Sequence, residues 1–152
     1  MRHIAAVFGL VVFALFIAPF PSARTGQAIA AADAEKIVDC EIDKGPCSKV
    51  IGTMEVILDI NPKPVKAMKE LSFTVKLIGE GKVISGTRVI TLDLAMPGMY
   101  MGKNAVMLGR NGPSTFSGKG VIPKCPSGRR LWQATVEIRE MGNVSFLFNV
   151  AY

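Results

Sequence analysis

The sequence predicts an all-β domain: an antiparallel β-sandwich of immunoglobulin-like type with about seven strands, following an N-terminal signal segment. Three observations predict it. Apolar and polar residues alternate in short runs through residues 53–152. Gly, Pro and Asn turn signals separate those runs at fairly regular spacing. No helical period is sustained anywhere in the same stretch.

The first element precedes the domain. Met1-Arg2-His3 is a short basic start, residues 4–20 (IAAVFGLVVFALFIAPF) are apolar throughout, and Ala28-Ile29-Ala30 fits a small-residue cleavage pattern. The apolar run is shorter than the about 20 residues a spanning helix needs. Residues 1–30 are therefore expected to be a signal peptide, with an uncleaved membrane anchor as the alternative, and the protein to be exported. Cleavage leaves 31–152, the size of one domain with a core of its own. Within it, 31–52 reads as a lead-in with a disulfide loop and 53–152 as the sandwich.

The strands follow in order. In 53–60 (TMEVILDI), Val56, Leu58 and Ile60 share a face. In 70–79 (ELSFTVKLIG), Leu71, Phe73, Val75 and Leu77 do, while Ser72, Thr74 and Lys76 face away. Residues 88–96 (RVITLDLAM) place Ile90, Leu92 and Leu94 together. Residues 104–110, 115–122, 131–140 and 143–152 continue the series. This is the period of a strand with one buried face. Asn61-Pro62, Gly79-Glu80-Gly81, Pro97-Gly98, Asn111-Gly112-Pro113 and Pro126-Ser127-Gly128 supply the turns. Trp132 is expected in the core. Phe146, Phe148 and Tyr152, which share one parity, are expected in the core or at a sheet edge.

Composition excludes several chemistries. The chain has one histidine, His3, and it lies in the signal segment. The domain therefore lacks the Ser-His-Asp and Cys-His arrangements, a histidine general base, histidine-ligated zinc and a two-His-one-Cys copper site. The formal net charge of +6 falls by two when Arg2 and Arg24 leave with the signal. So mild a charge on an exported chain argues against nucleic acid as a partner. The acids are scattered at strand edges without a carboxylate pair, and no glycine-rich phosphate loop leads from a strand into a helix. An enzyme is not expected.

There are 3 cysteines, at 40, 47 and 125. Oxidising surroundings favour pairing two of them, and three pairings are open. The pairing of Cys40 with Cys47 is favoured, because "CEIDKGPC" turns at Gly45-Pro46. Closing that loop contributes about 2.5 kcal/mol in the chain-entropy model. Cys125 is then a free thiol in "PKCPSGRR", beside Lys124, Arg129 and Arg130, whose charge favours the thiolate.

The candidate site is "MPGMYMG", residues 96–102. Pro97-Gly98 suits the two central positions of a type II turn and makes Met96 and Met99 its outer residues. Strand alternation then sets Met101 on the side of Met99, with Tyr100 opposite. Three thioethers without imidazole suit Cu(I), a soft ion, with Cys125 as a fourth sulfur if the two loops lie at one end of the domain. The competing reading is a methionine turn that caps the core over Trp132 or Phe116.

"LAMPGMYMG" followed by "FSGKGVIPKCPSGRRLWQATVEI" resembles the YtkA-like (FixH/YtkA-like) family of small exported or membrane-anchored bacterial domains. The resemblance runs from about residue 71 to 152 and rests on the methionine segment, the Gly118/Gly120 spacing and Trp132, in that order. "CEIDKGPC" resembles the start of a cysteine-bearing subset. The resemblance implies a periplasmic immunoglobulin-like domain in copper traffic, serving a copper transporter or a component of haem-copper oxidase assembly. It marks Met96, Met99 and Met101 as the metal-facing set. Some relatives carry histidine near these methionines; its lack here points to Cu(I) rather than Cu(II). The alternative is a metal-free accessory module of a membrane complex. Membrane contact is expected only through an uncleaved signal. A thiol-redox role for Cys125 is disfavoured, since there is no C-x-x-C motif.

Overall fold

Where the sequence alternates, the backbone is extended and laddered to a neighbour. The computed structural model describes residues 38–79, 86–87, 89–139 and 141–152. The expected signal, residues 1–30, lies outside them. All described residues fall within Ala31–Tyr152, a compact unit in its own right. It contains β1 (Cys47–Ile51), β2 (Met54–Asn61), β3 (Glu70–Ile78), β4 (Val89–Ala95), β5 (Ala105–Arg110), β6 (Thr115–Val121), β7 (Leu131–Ile138) and β8 (Gly142–Asn149).

Alternation decides which side chains face inward. Met54, Val56, Leu58 and Ile60 of β2 are buried, as are Leu71, Phe73, Val75 and Leu77 of β3 and Ile90, Leu92 and Leu94 of β4. Trp132, Phe146 and Phe148 are fully buried, and Trp132 lies opposite Phe148 in the β7–β8 ladder. These faces join in one apolar core.

The strand count and the layering differ from the expectation. The eight strands form one sheet in the order β1-β2-β3-β6-β5-β4-β7-β8, every pair antiparallel. No break divides it into the two sheets of a sandwich; it curls on itself like a barrel. The additional strand is β1, from the segment read as a lead-in. Two glycines permit a sharp bend. β5 is laddered to β6 only at Gly109↔Ser117 and Arg110↔Phe116. Beyond that point its backbone passes over the face of β6, where a Cβ on Gly118 would meet the Met107 carbonyl oxygen at 2.5 Å. A Cβ on Gly120 would meet Val106 Cγ2 at 2.6 Å. Only glycine admits so close an approach.

The two edges of the sheet meet at a seam. Asp39 and Cys40 donate their backbone N–H groups to Leu147 O of β8, at 3.1 and 3.0 Å. Asp39 Oδ1 accepts from Leu147 N, and its other oxygen pairs with Lys49 of β1. Lys49 Nζ also donates to Ser145 O of β8 at 2.6 Å and sits over the Phe146 ring. The Cys40–Cys47 disulfide joins the segment lying along β8 to the first residue of β1. The expected pairing is thus present, and it fastens the last strand to the first.

Candidate functional site

Strand direction brings the sulfurs together. β4 and β6 both run antiparallel to β5, so both end at the same end of the sheet. The β4–β5 loop carries the methionines, and the β6–β7 connection carries Cys125. In the order β6-β5-β4-β7, that connection must cross the β4–β5 hairpin. Cys125 Sγ accordingly lies 3.7 Å from Met99 Sδ.

The methionine segment folds as its residues dictate. Met99 N donates to Met96 O at 3.1 Å, and Gly98 has φ 71°, as the second central residue of a type II turn requires. Met96 is buried in the core, at 4% exposure. It stands one step past the last β4–β7 pair, Ala95↔Gln133, on the register of Trp132. Met99 and Met101 are partly buried and pack against the core, while Tyr100 between them is 90% exposed. Leu94 N donates to Asn104 O at 2.9 Å and closes the foot of the loop. Two buried N–H groups have no partner here among the described residues: the Asn104 amide at that foot and the Trp132 indole.

Cys125 is a free, fully buried thiol held in a tight turn. Pro126 follows it, and Gly128 N donates to Cys125 O at 3.0 Å, with φ 75° at Gly128. The Ser127 hydroxyl lies 3.0 Å from the thiol sulfur. That hydroxyl does most to hold the Cys125 pKa below the ordinary thiol value; burial opposes it, and the Ser127 and Arg129 backbone N–H groups and the Arg129 charge assist. The basic neighbours read from the sequence are therefore a smaller influence than one serine. Tyr152 also braces the loop: its hydroxyl accepts from Cys125 N at 3.3 Å and donates to Arg129 O.

Of the residues singled out in the sequence, Met99 and Cys125 are in contact. Met96 is bridged to Met99 across the turn, and Met101 packs against the apolar core. Ser127 was not singled out beyond its place in a turn, and Tyr152 was expected only in the core or at a sheet edge. The serine is visible in "CPSG" as a turn residue, but its aim at the sulfur depends on the turn being made. Two sulfurs on one ion, each at about 2.3 Å and tetrahedrally disposed, stand about 3.8 Å apart. The Met99–Cys125 spacing fits two such ligands. The donor set is sulfur only: no group of three or more His, Cys, Asp or Glu side chains suited to a metal occurs among the described residues. A surface cleft of about 530 Å³, lined by Asp43, Gly128, Arg130 and Asn149 among others, includes none of the four sulfur residues.

No protein-family model matches the chain, and neither a curated protein nor a solved structure does.

Proposed function

We propose that this is an exported, periplasmic Cu(I)-handling protein that holds the ion between the methionine turn and Cys125, without enzymatic activity. The observation that carries this reading is the 3.7 Å contact between Cys125 Sγ and Met99 Sδ, made by loops 26 residues apart. A thiolate favoured by Ser127 and a thioether form a soft pair suited to Cu(I), and the lack of histidine makes a Cu(II) site a poor alternative. Met96, bridged to Met99 across the turn, and Met101, two residues beyond Met99, are the candidates for third and fourth ligands. The order of the methionine segment, Gly118/Gly120 and Trp132 supports kinship with YtkA-like domains. Such kinship would make a copper transporter or a haem-copper oxidase assembly component the recipient.

The test is a competition titration of Cu(I) against a chromogenic chelator. It uses residues 31–152 without oxygen, with the Cys40–Cys47 disulfide kept. One ion is expected per chain. Met99→Leu and Cys125→Ser are each expected to weaken binding at least tenfold, and Met107→Leu, on the outer face of β5, to leave it unchanged. Equal affinity in all three variants would remove the site. A second reading, a metal-free accessory module, is favoured by the packing of Met96, Met99 and Met101 on the apolar core. It predicts no Cu(I) binding beyond that of an unfolded thiol.

A further inference from the structure

Three loops at the end of the sheet that carries the sulfurs are one-signed in charge. Lys63, Lys66 and Lys69 lie in the β2–β3 loop and Lys103 in the β4–β5 loop. Lys124, Arg129 and Arg130 lie in the β6–β7 connection. None of the three segments contains Asp or Glu. Among the acids nearby, Glu41 pairs with Lys44, Asp59 with Lys63 and Glu70 with Lys119; Asp43 accepts from Val65 N, and neither it nor Asp93, opposite Ala105 at the end of β4, forms an ion pair among the described residues. Lys66, Lys69, Lys103, Lys124, Arg129 and Arg130 form no ion pair among the described residues.

Two large side chains stand out of the same end. Tyr100 is 90% exposed at the tip of the methionine turn, and Met68 is 65% exposed in the β2–β3 loop. Met68 holds a left-handed backbone, φ 59°, while its N–H donates to Ile122 O at the start of the β6–β7 connection. The three loops are thus tied into one surface. An apolar or aromatic tip ringed by long cationic side chains matches the interfacial zone of a bilayer, where tyrosine sits among headgroups and lysine stems lie along apolar surface. An acidic protein would call on the same cations, and what sets a lipid surface apart is that it needs no pocket or groove beside Tyr100 and Met68.

We propose that this end seats on an anionic lipid surface, with Tyr100 and Met68 at headgroup depth and the six cations that form no ion pair against the lipid charges. The contact is separate from any made by residues 1–30, and it does not depend on copper.

The test is co-sedimentation of metal-free 31–152 with vesicles of phosphatidylcholine alone and of phosphatidylcholine mixed with phosphatidylglycerol. Binding is expected only to the mixed vesicles and to vanish in molar salt. Lys103→Gln is expected to lower partitioning about fivefold, the effect of one cation near a charged surface. Tyr100→Ser, at a position where the fold makes no demand, is expected to lower it several-fold as well. Lys76→Gln, on the outer face of β3 toward the other end, is expected to change nothing. Equal partitioning on both vesicles overturns the proposal, and so does equal loss in Lys76→Gln and Lys103→Gln, which would signify net charge alone. Retention on poly-glutamate without binding to the mixed vesicles, unaffected by Tyr100→Ser, overturns it in favour of an acidic protein.

Discussion

Ser127 Oγ lies 3.0 Å from Cys125 Sγ, inside a turn that Cys125 itself opens. The hydroxyl can donate to a thiolate and stabilise it where water does not reach. Cys125 is the only free thiol, so its ionisation is readable as thiolate absorbance in the ultraviolet. It is expected to titrate below the ordinary thiol range, and Ser127→Ala to move it upward. The sign follows from linkage: a depressed thiol contributes stability above its unfolded value and loses it as pH falls through the folded one. Stability of the wild type should therefore rise with pH across that window, and less so in Ser127→Ala. An unchanged titration in the variant would refute the role of the hydroxyl.

Gly118 and Gly120 separate two kinds of crowding. A Cβ at 118 meets a backbone carbonyl, which cannot yield without moving β5; one at 120 meets a Val106 methyl and the Phe73 ring. Gly118→Ala is expected to cost about 3 kcal/mol and Gly120→Ala about 1.5 kcal/mol. Urea denaturation measures both, and the reverse ranking would mean that β5 does not cross β6 as described.

Removing the seam disulfide in Cys40→Ser with Cys47→Ser is expected to cost about 2.5 kcal/mol. The loss should be local before it is global. Amide exchange at Leu147, whose N–H is held by Asp39, should rise more than at Val75 in the middle of β3. Uniform acceleration would indicate that the bond does no more than shrink the unfolded ensemble.

Asp59 ties two loops together through Lys63, whose Nζ donates to Asp59 Oδ1 and to Ile42 O, both at 2.6 Å. Burial pushes the Asp59 carboxyl up, but hydrogen bonds from Lys63 and Asn61, the Lys63 charge and the Ile60 N–H together hold it below the usual carboxylate range. A depressed carboxyl stabilises above its unfolded value and loses that contribution as pH falls through the folded one. Asp59→Asn is expected to cost about 1 kcal/mol at neutral pH. The gap to wild type should close in acid; a gap that persists there would assign the effect to packing.

The inner faces of β2, β3 and β4, the approximate extents of β5 to β8 and the turn at Pro97-Gly98 were legible because each depends on neighbours in sequence. Val56, Leu58 and Ile60 announce a buried face by their spacing alone. β1 was not legible: Ser48 and Lys49 interrupt it, and Val50 is 69% exposed, so no apolar alternation marks it. Closure into one sheet was hidden for the same reason, since it depends on Lys49 reaching β8 and on the lack of side chains at Gly118 and Gly120. The meeting of Met99 with Cys125 follows from strand order, which local patterns do not encode. Tyr152, read as core or edge by its parity with Phe148, instead reaches over to hold the Cys125 loop.

The seam also decides how the domain bears load. Tension applied to the chain ahead of Asp39 first peels backbone from Leu147, and then meets a sulfur bridge that hands the force to Cys47, 7 positions on. The intervening loop carries none of it. From Cys47 the force passes into the ladder that pairs β1 with β2. In a reduced chain the same pull would first draw out residues 41–46, parting Ile42 from Lys63 and Asp43 from Val65, before the load reached Cys47.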